Sequence, residues 1–235
     1  MRLDKELSRR GLVQSRSQAE NIIRLGQVKV DGQVVKKAGW RVQNNAEINI
    51  TGEQYVSRAA FKLGSATEYL NLDFKDKTML DVGSSTGGFT DYALRRGAKK
   101  VVAVDVGTDQ LHPSLRTDKR IELHEKTDIR EFETNEQFDL IVIDVSFVSL
   151  KDVLPTVMQL ASDETKVVAM LKPQFEARDP KKHKGVIKNS KMRRDIIKEF
   201  ELWLRDQALI VDSHDSDVSG KKGNTERFYL LKRLG

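Results

Sequence analysis

The sequence contains no cysteine. That absence excludes a disulfide framework, a thiolate metal site and a cysteine nucleophile. No apolar run approaches the ~20 residues needed to span a bilayer. The start, Met1-Arg2-Leu3-Asp4-Lys5, lacks the apolar stretch of a secretory signal, and internal repeats are absent. Apolar residues make up only 38% of the chain and charged residues 32%, yet the hydrophobic pattern is too regular for disorder. These features predict a soluble, cytoplasmic protein of one or two domains over 235 residues, with no membrane partner and no metal site.

The charge that is present is unevenly placed. Lys and Arg number 41 against 35 Asp and Glu, for a net charge of +6. Residues 1–60 hold 11 basic and 6 acidic side chains, while residues 61–235 hold 30 and 29. A small basic module therefore precedes a larger, nearly neutral one. In the small module, Leu3, Leu7 and Leu12 predict a first helix over 3–12, and Ala19, Ile22, Ile23 and Leu25 a second that Gly26 stops. Alternation around Asp31-Gly32 predicts a hairpin, and residues 42–50 read as a closing strand. Arg2, Arg9, Arg10, Arg16, Arg24, Lys29 and Arg58 give this module the clustered cations that phosphate binding requires. Arg2-Leu3-Asp4, Gly11-Leu12, Ser15-Arg16, Ala19, Ile23, Gly26, Val28-Lys29-Val30-Asp31-Gly32 and Val34 resemble the RNA-binding domain named after ribosomal protein S4. The resemblance covers residues 1–48 and implies recognition of structured RNA by backbone and shape. The domain is expected over 1–50, with a linker at 51–57.

Residues 58–235 read as a doubly wound, Rossmann-like α/β sheet. Strands are expected at 78–82, 101–104, 121–123, 138–143 and 166–171, with late strands at 208–212 and 226–232. Helices are expected at 58–70, 91–96, 150–161 and 190–207. Ligands of such sheets sit at the carboxyl ends of the strands, where Asp81 and Gly83, Asp105, Asp144 and Lys172 fall. The loop Gly83-Ser84-Ser85-Thr86-Gly87-Gly88-Phe89-Thr90 is neither a dinucleotide fingerprint, because Ser85 replaces the middle glycine, nor a Walker loop, because Gly-Lys-Ser/Thr is absent. An acidic residue before a glycine turn, with Asp105 about 20 residues on, suits a ligand with an amino-acid group and a ribose diol. S-adenosylmethionine is such a ligand. Lys62, Asp144, Lys172 and Glu226 supply two lysines and two carboxylates, a set able to deprotonate a ribose 2′-hydroxyl.

Ser57-Arg58-Ala59-Ala60-Phe61-Lys62-Leu63, Asp81 to Asp91, Asp105-Val106-Gly107-Thr108, Asp144 to Leu150, Lys172 to Ala177 and Gly223-Asn224-Thr225-Glu226 resemble the TlyA family. Its members, often labelled hemolysins, join an S4-type domain to an FtsJ-like ribose 2′-O-methyltransferase. The resemblance implies ribosomal RNA or ribosomal subunits as substrate, with Lys172 as base, Asp144 and Glu226 orienting it, and Lys62 adding positive potential. It places S-adenosylmethionine on Asp81, the 83–90 loop and Asp105, with Asp128 as an adenine contact. Ala59-Ala60 stands where the family usually has Gly-Gly.

Three other readings compete. A membrane-damaging protein would need a spanning or amphipathic segment. An RNA-binding or ribosome-associated protein with a vestigial methyltransferase domain is countered by the intact loop and quartet, which argue against decay. A base amino-methyltransferase would carry prolines after Asp144, where Val145 and Ser146 stand. Residues 172–194 hold nine basic and two acidic side chains, so Lys181, Lys182 and Lys184 are expected to form a second RNA-binding surface beside the active site.

Overall fold

A computed structural model describes residues 1–13, 16–177, 185–187, 189–218, 220 and 223–234, with the backbone alone at 17 and 21. They form two compact units, Met1–Arg58 and Ala59–Gly235.

In the first unit, α1 (Leu3–Arg9) and α2 (Arg16–Arg24) precede a three-stranded antiparallel sheet ordered β2-β1-β3, with β1 at Val28–Val30, β2 at Gln33–Val34 and β3 at Ile48–Ile50. Asp31 and Gly32 both take positive φ, 49° and 81°, the I′ geometry that matches strand twist in a two-residue hairpin. Gly26 at φ 74° ends α2, its N–H donating to the Ile23 carbonyl. Leu3, Leu7, Ile22, Ile23 and Val28 are buried together between helices and sheet. Two expectations need correction. The first helix stops at Arg9 rather than 12, because Gly11 takes a left-handed conformation. The closing strand starts only at Ile48, because the Val42 N–H donates to the Met1 carbonyl and a turn at 43–46 follows.

The second unit runs α3 (Ala59–Tyr69), β4 (Thr78–Val82), α4 (Gly88–Arg95), β5 (Lys100–Val104), α5 (Pro113–Arg116), β6 (Ile121–His124), β7 (Leu140–Ile143), α6 (Leu150–Leu160), β8 (Lys166–Leu171), α7 (Pro173–Glu176), α8 (Ser190–Leu204), β9 (Leu209–Asp215) and β10 (Arg227–Lys232). Its seven strands are ordered β6-β5-β4-β7-β8-β10-β9. The strands β4, β5, β7 and β8 are apolar almost throughout because helices cover both faces, and the expected doubly wound sheet is present. Strand order reverses at β4, with β5 on one side and β7 on the other, so the carboxyl ends of these strands splay apart and leave a crevice. β10 runs antiparallel to β8, pairing Arg227 with Leu171. This reversed strand brings its own beginning to the end of β8.

The four-residue helices α5 and α7 were not expected, since one turn is too short to show a hydrophobic period. Each begins on a proline, whose fixed φ suits the first helical position. Leu80, fully buried at the centre of the sheet, sets the scale of the core. Replacing it with alanine is expected to cost about 2–5 kcal/mol, measured as a shift of the urea-unfolding midpoint.

Candidate active site

The carboxyl ends of β4, β5, β7 and β8 and the start of β10 build the site. At the end of β4 the chain turns through Gly83, φ 82°, whose N–H donates to the Val104 carbonyl at 2.9 Å. A Cβ at Gly83 would stand 2.9 Å from the carbonyl oxygen of Asp144. Only glycine lets the turn lie this close to the end of β7. Gly87, at φ 87°, caps α4, and a Cβ there would collide with Leu111 and Leu115. The end of β5 supplies Asp105, whose carboxylate accepts the Ser85 N–H at 2.8 Å and the Gly107 N–H at 2.7 Å. Each carboxylate oxygen keeps capacity for a further donor.

The ends of β7, β8 and β10 carry the charged set. Lys172 Nζ lies 2.5 Å from Asp144 Oδ1 and donates to Ser146 Oγ at 2.7 Å. One residue beyond the Arg227–Leu171 pair, Glu226 pairs with Lys62 of α3 at 3.1 Å. The two lysine side chains are only 9% and 12% exposed. All four residues singled out in the sequence therefore meet at one end of the sheet, as two buried ion pairs.

The remaining loop residues divide by role. Ser85 and Thr86 are exposed on the loop. Ser84 is buried, and its Oγ has no hydrogen-bond partner among the described residues. Gly88, Phe89 and Thr90 open α4 and are buried, Phe89 packing toward Phe228 and Thr90 donating to Asp81 Oδ2 at 2.6 Å. Asp81 is wholly buried, its Oδ1 has no hydrogen-bond partner among the described residues, and burial pushes its carboxyl up to about 7, against the lowering effect of Thr90. Asp128 accepts the Arg130 N–H at 2.9 Å as cap of a short 3-10 turn. It also forms a two-point pair with the Arg130 side chain, which holds its carboxyl below the usual range.

Sequence reasoning missed three contributors. Ser146 holds the Lys172 amine. Phe147 is 92% exposed at φ 68°, a strained conformation for a bulky side chain, and its ring centroid lies 5.2 Å from that of Phe175. Glu176 accepts from the Ser149 hydroxyl and from the Leu150 N–H at 2.7 Å, so it fastens the far end of the Phe147 loop, at the start of α6, to α7. Burial raises its carboxyl above the usual range. The Asp144-Val145-Ser146-Phe147 run was a visible signal for the first two; Glu176 had none, because its partners lie 26 and 27 residues away.

Comparison with known proteins fits this geometry. The model of the FtsJ-like methyltransferase family matches residues 55–233 and that of the S4 domain residues 1–48. A 23S rRNA (cytidine-2′-O)-methyltransferase TlyA of Campylobacter jejuni is 42% identical over 78% of this chain and 73% of its own length. A 16S/23S rRNA (cytidine-2′-O)-methyltransferase TlyA of Mycobacterium tuberculosis is 37% identical over 98% and 89%. The chain belongs to the TlyA family of FtsJ-like methyltransferases. A solved structure that carries the hemolysin name, from Streptococcus thermophilus, superposes on all of this chain and 88% of its own with a TM-score of 0.74 and 34% identity.

The family's cofactor is S-adenosylmethionine, and the residues of this TlyA-family chain fit it. Asp81 Oδ1 and Ser84 Oγ are buried polar atoms that lack hydrogen-bond partners among the described residues, Gly83 and Gly87 keep side chains out of the turn, and Asp105 retains acceptor capacity for a ribose diol.

In the S4-type unit the arginines singled out from the sequence are less free than expected. Arg2 and Arg16 pair with fully buried Asp4 at 3.0 and 2.6 Å. Arg9 and Arg10 pair with fully buried Glu6 at 2.6 and 2.7 Å, and their hydrogen bonds hold its carboxyl down at about 2. Two carboxylates thus fix four guanidiniums in place and offset half their charge. Arg24 is exposed, while Lys29 on β1 and Arg58 are half-buried. Lys181, Lys182 and Lys184 lie outside the described residues.

Asp81 generates a testable pH dependence. An acid that folding keeps neutral gives stability in full below its unfolded value near 3.8 and loses it as pH rises through about 7. The melting temperature of the wild type is therefore expected to fall relative to Asp81→Asn between pH 4 and 7, then run level. Parallel profiles in differential scanning calorimetry would contradict the burial of this carboxyl.

Proposed function

We propose that this chain methylates the ribose 2′-hydroxyl of a cytidine in ribosomal RNA, in the cytoplasm, with the RNA presented by a ribosomal subunit. The observation that carries the reading is the Lys172 amine held at once by Asp144 and Ser146. When bound, S-adenosylmethionine supplies a methyl group on a sulfonium, an electrophile that needs an oxygen nucleophile.

In its ion pair Lys172 is an ammonium, and it becomes a base only once it has released one proton to solvent, which leaves an amine with two N–H bonds and one lone pair. With one N–H donated to Ser146 Oγ and the nitrogen in ionic contact with Asp144 Oδ1, the lone pair is left for the substrate. A 2′-hydroxyl at hydrogen-bond distance gives up its proton to Nζ as the oxygen attacks, and the ammonium so formed keeps the same two partners. Asp144 also faces the new positive charge directly. Lys62, fixed by Glu226, adds positive potential where the alkoxide develops. No covalent enzyme intermediate is needed, so positioning supplies much of the acceleration. Phe147, exposed beside the base, offers a face on which the target nucleobase can stack, and Glu176 holds its loop in place.

The ribose assignment is favoured over base methylation because an exocyclic amine needs no such base. The specificity in the names of the two relatives supports cytidine and ribosomal RNA. The hemolysin name of the solved structure would call for a membrane-active segment, and among the described residues no helix is long and apolar enough to cross a membrane.

The test is to incubate the protein and radiolabelled S-adenosylmethionine with separated ribosomal subunits and naked rRNA, then map the label. One cytidine resistant to alkaline cleavage is expected. Label on a base, or none on RNA, would reject the assignment. Phe147→Ala is expected to raise KM for RNA about tenfold while leaving S-adenosylmethionine affinity unchanged, and Phe147→Tyr to restore it.

A further inference from the structure

Trp40 has no place in the site described above. The chain has two tryptophans. Trp203 is half-buried against Phe200, whereas Trp40 is 49% exposed in the S4-type unit. Leaving so large a ring in water forgoes burial that even a small core could use.

Its backbone is held firmly. The Trp40 N–H donates to the Lys37 carbonyl at 2.9 Å, its own carbonyl accepts the Leu3 N–H at 2.7 Å, and Val42 N–H donates to Met1 at 2.9 Å. The ring is thus carried on a fixed corner rather than a loose tip.

Its exposed sequence neighbours are basic, and the nearby Asp4 is fully buried under Arg2. Lys36, Lys37 and Arg41 are exposed, and residues 32–46 contain no acidic side chain. Arg2 faces Arg41 across an isolated bridge. The Arg2 guanidinium lies against Gly39, where a Cβ would stand 3.2 Å from Nη1.

We infer that Trp40, with Lys36, Lys37 and Arg41, is a stacking site for an unpaired nucleobase of RNA whose neighbouring phosphates these cations hold. The inference rests on the RNA-directed reading and goes beyond it. Arginines that follow the backbone of a duplex do not read bases, which A-form RNA hides in its deep groove. An exposed indole among cations binds only a base that is already out of a helix. The RNA segment recognised by this unit is therefore a helix that ends in a loop or carries a bulge. A protein partner would be expected to set carboxylates against the three cations, and would gain little from the flat face of the ring.

The experiment compares binding of the full-length chain to two labelled RNAs, a hairpin with unpaired loop purines and a blunt duplex of equal length. Trp40→Ala is expected to weaken hairpin binding about tenfold or more and leave duplex binding unchanged. Trp40→Phe should recover most of the loss, and the salt dependence should stay the same because no phosphate contact is removed. An unchanged hairpin affinity, or equal loss on both RNAs, would overturn the inference. So would a loss seen with intact ribosomal subunits and not with the hairpin, which would assign Trp40 to a protein contact. If the wild type binds neither RNA, the RNA-directed reading itself fails.

Discussion

A lysine taken out of water must meet a partner or lose its charge, and this requirement governs the arrangement of the second unit. Lys62 and Lys172 are both nearly buried, and desolvation of an unpaired ammonium costs several kcal/mol. Each is met by one carboxylate, Glu226 and Asp144. The sheet has to bring those carboxylates to the right place. The parallel β7–β8 pair sets Asp144 beside Lys172, and the reversed β10 sets Glu226 at the same end. Gly83 is glycine because Asp144 must approach the β4 turn within van der Waals distance. Removing either carboxylate would leave a buried charge uncompensated, so the pairs hold the site in shape as well as serving the reaction.

The sequence made much of this legible, for identifiable reasons. Continuous apolar runs such as Leu140–Ile143 and Lys166–Leu171 announce buried parallel strands, and strand ends in such a sheet are where ligands bind. Asp144 and Lys172 each follow such a run directly, so their position could be read from the pattern alone. Glu226 and Lys62 could not. Their meeting depends on the antiparallel return of β10 and on the packing of α3, which are tertiary facts. The role of Glu176 is a further example, since a glutamate in a four-residue helix carries no periodic signal. Phe89 and Thr90, expected at the ligand from their adjacency to the glycine loop, lie buried at the start of α4, a placement that sequence adjacency does not show.

The S4-type unit teaches a related lesson about counting charge. Its excess of basic residues was plain from composition, but composition does not show that Asp4 and Glu6 are buried beneath four of the arginines. These carboxylates lower the net charge and, in return, hold the guanidiniums at set positions, which suits a phosphate lattice of fixed spacing better than loose side chains do. Further positive charge outside these pairs is carried by Arg24, Lys36, Lys37 and Arg41, all exposed.

The central claim is that Lys172, aimed by Asp144 and Ser146, removes the proton from the attacking hydroxyl. Its most direct test is a single-turnover methyl-transfer assay on rRNA with wild type and Lys172→Ala, run beside calorimetric titration of S-adenosylmethionine. Transfer is expected to fall by at least about 10²-fold in the variant while cofactor affinity stays at the wild-type value. Transfer at the wild-type rate in Lys172→Ala would contradict the account.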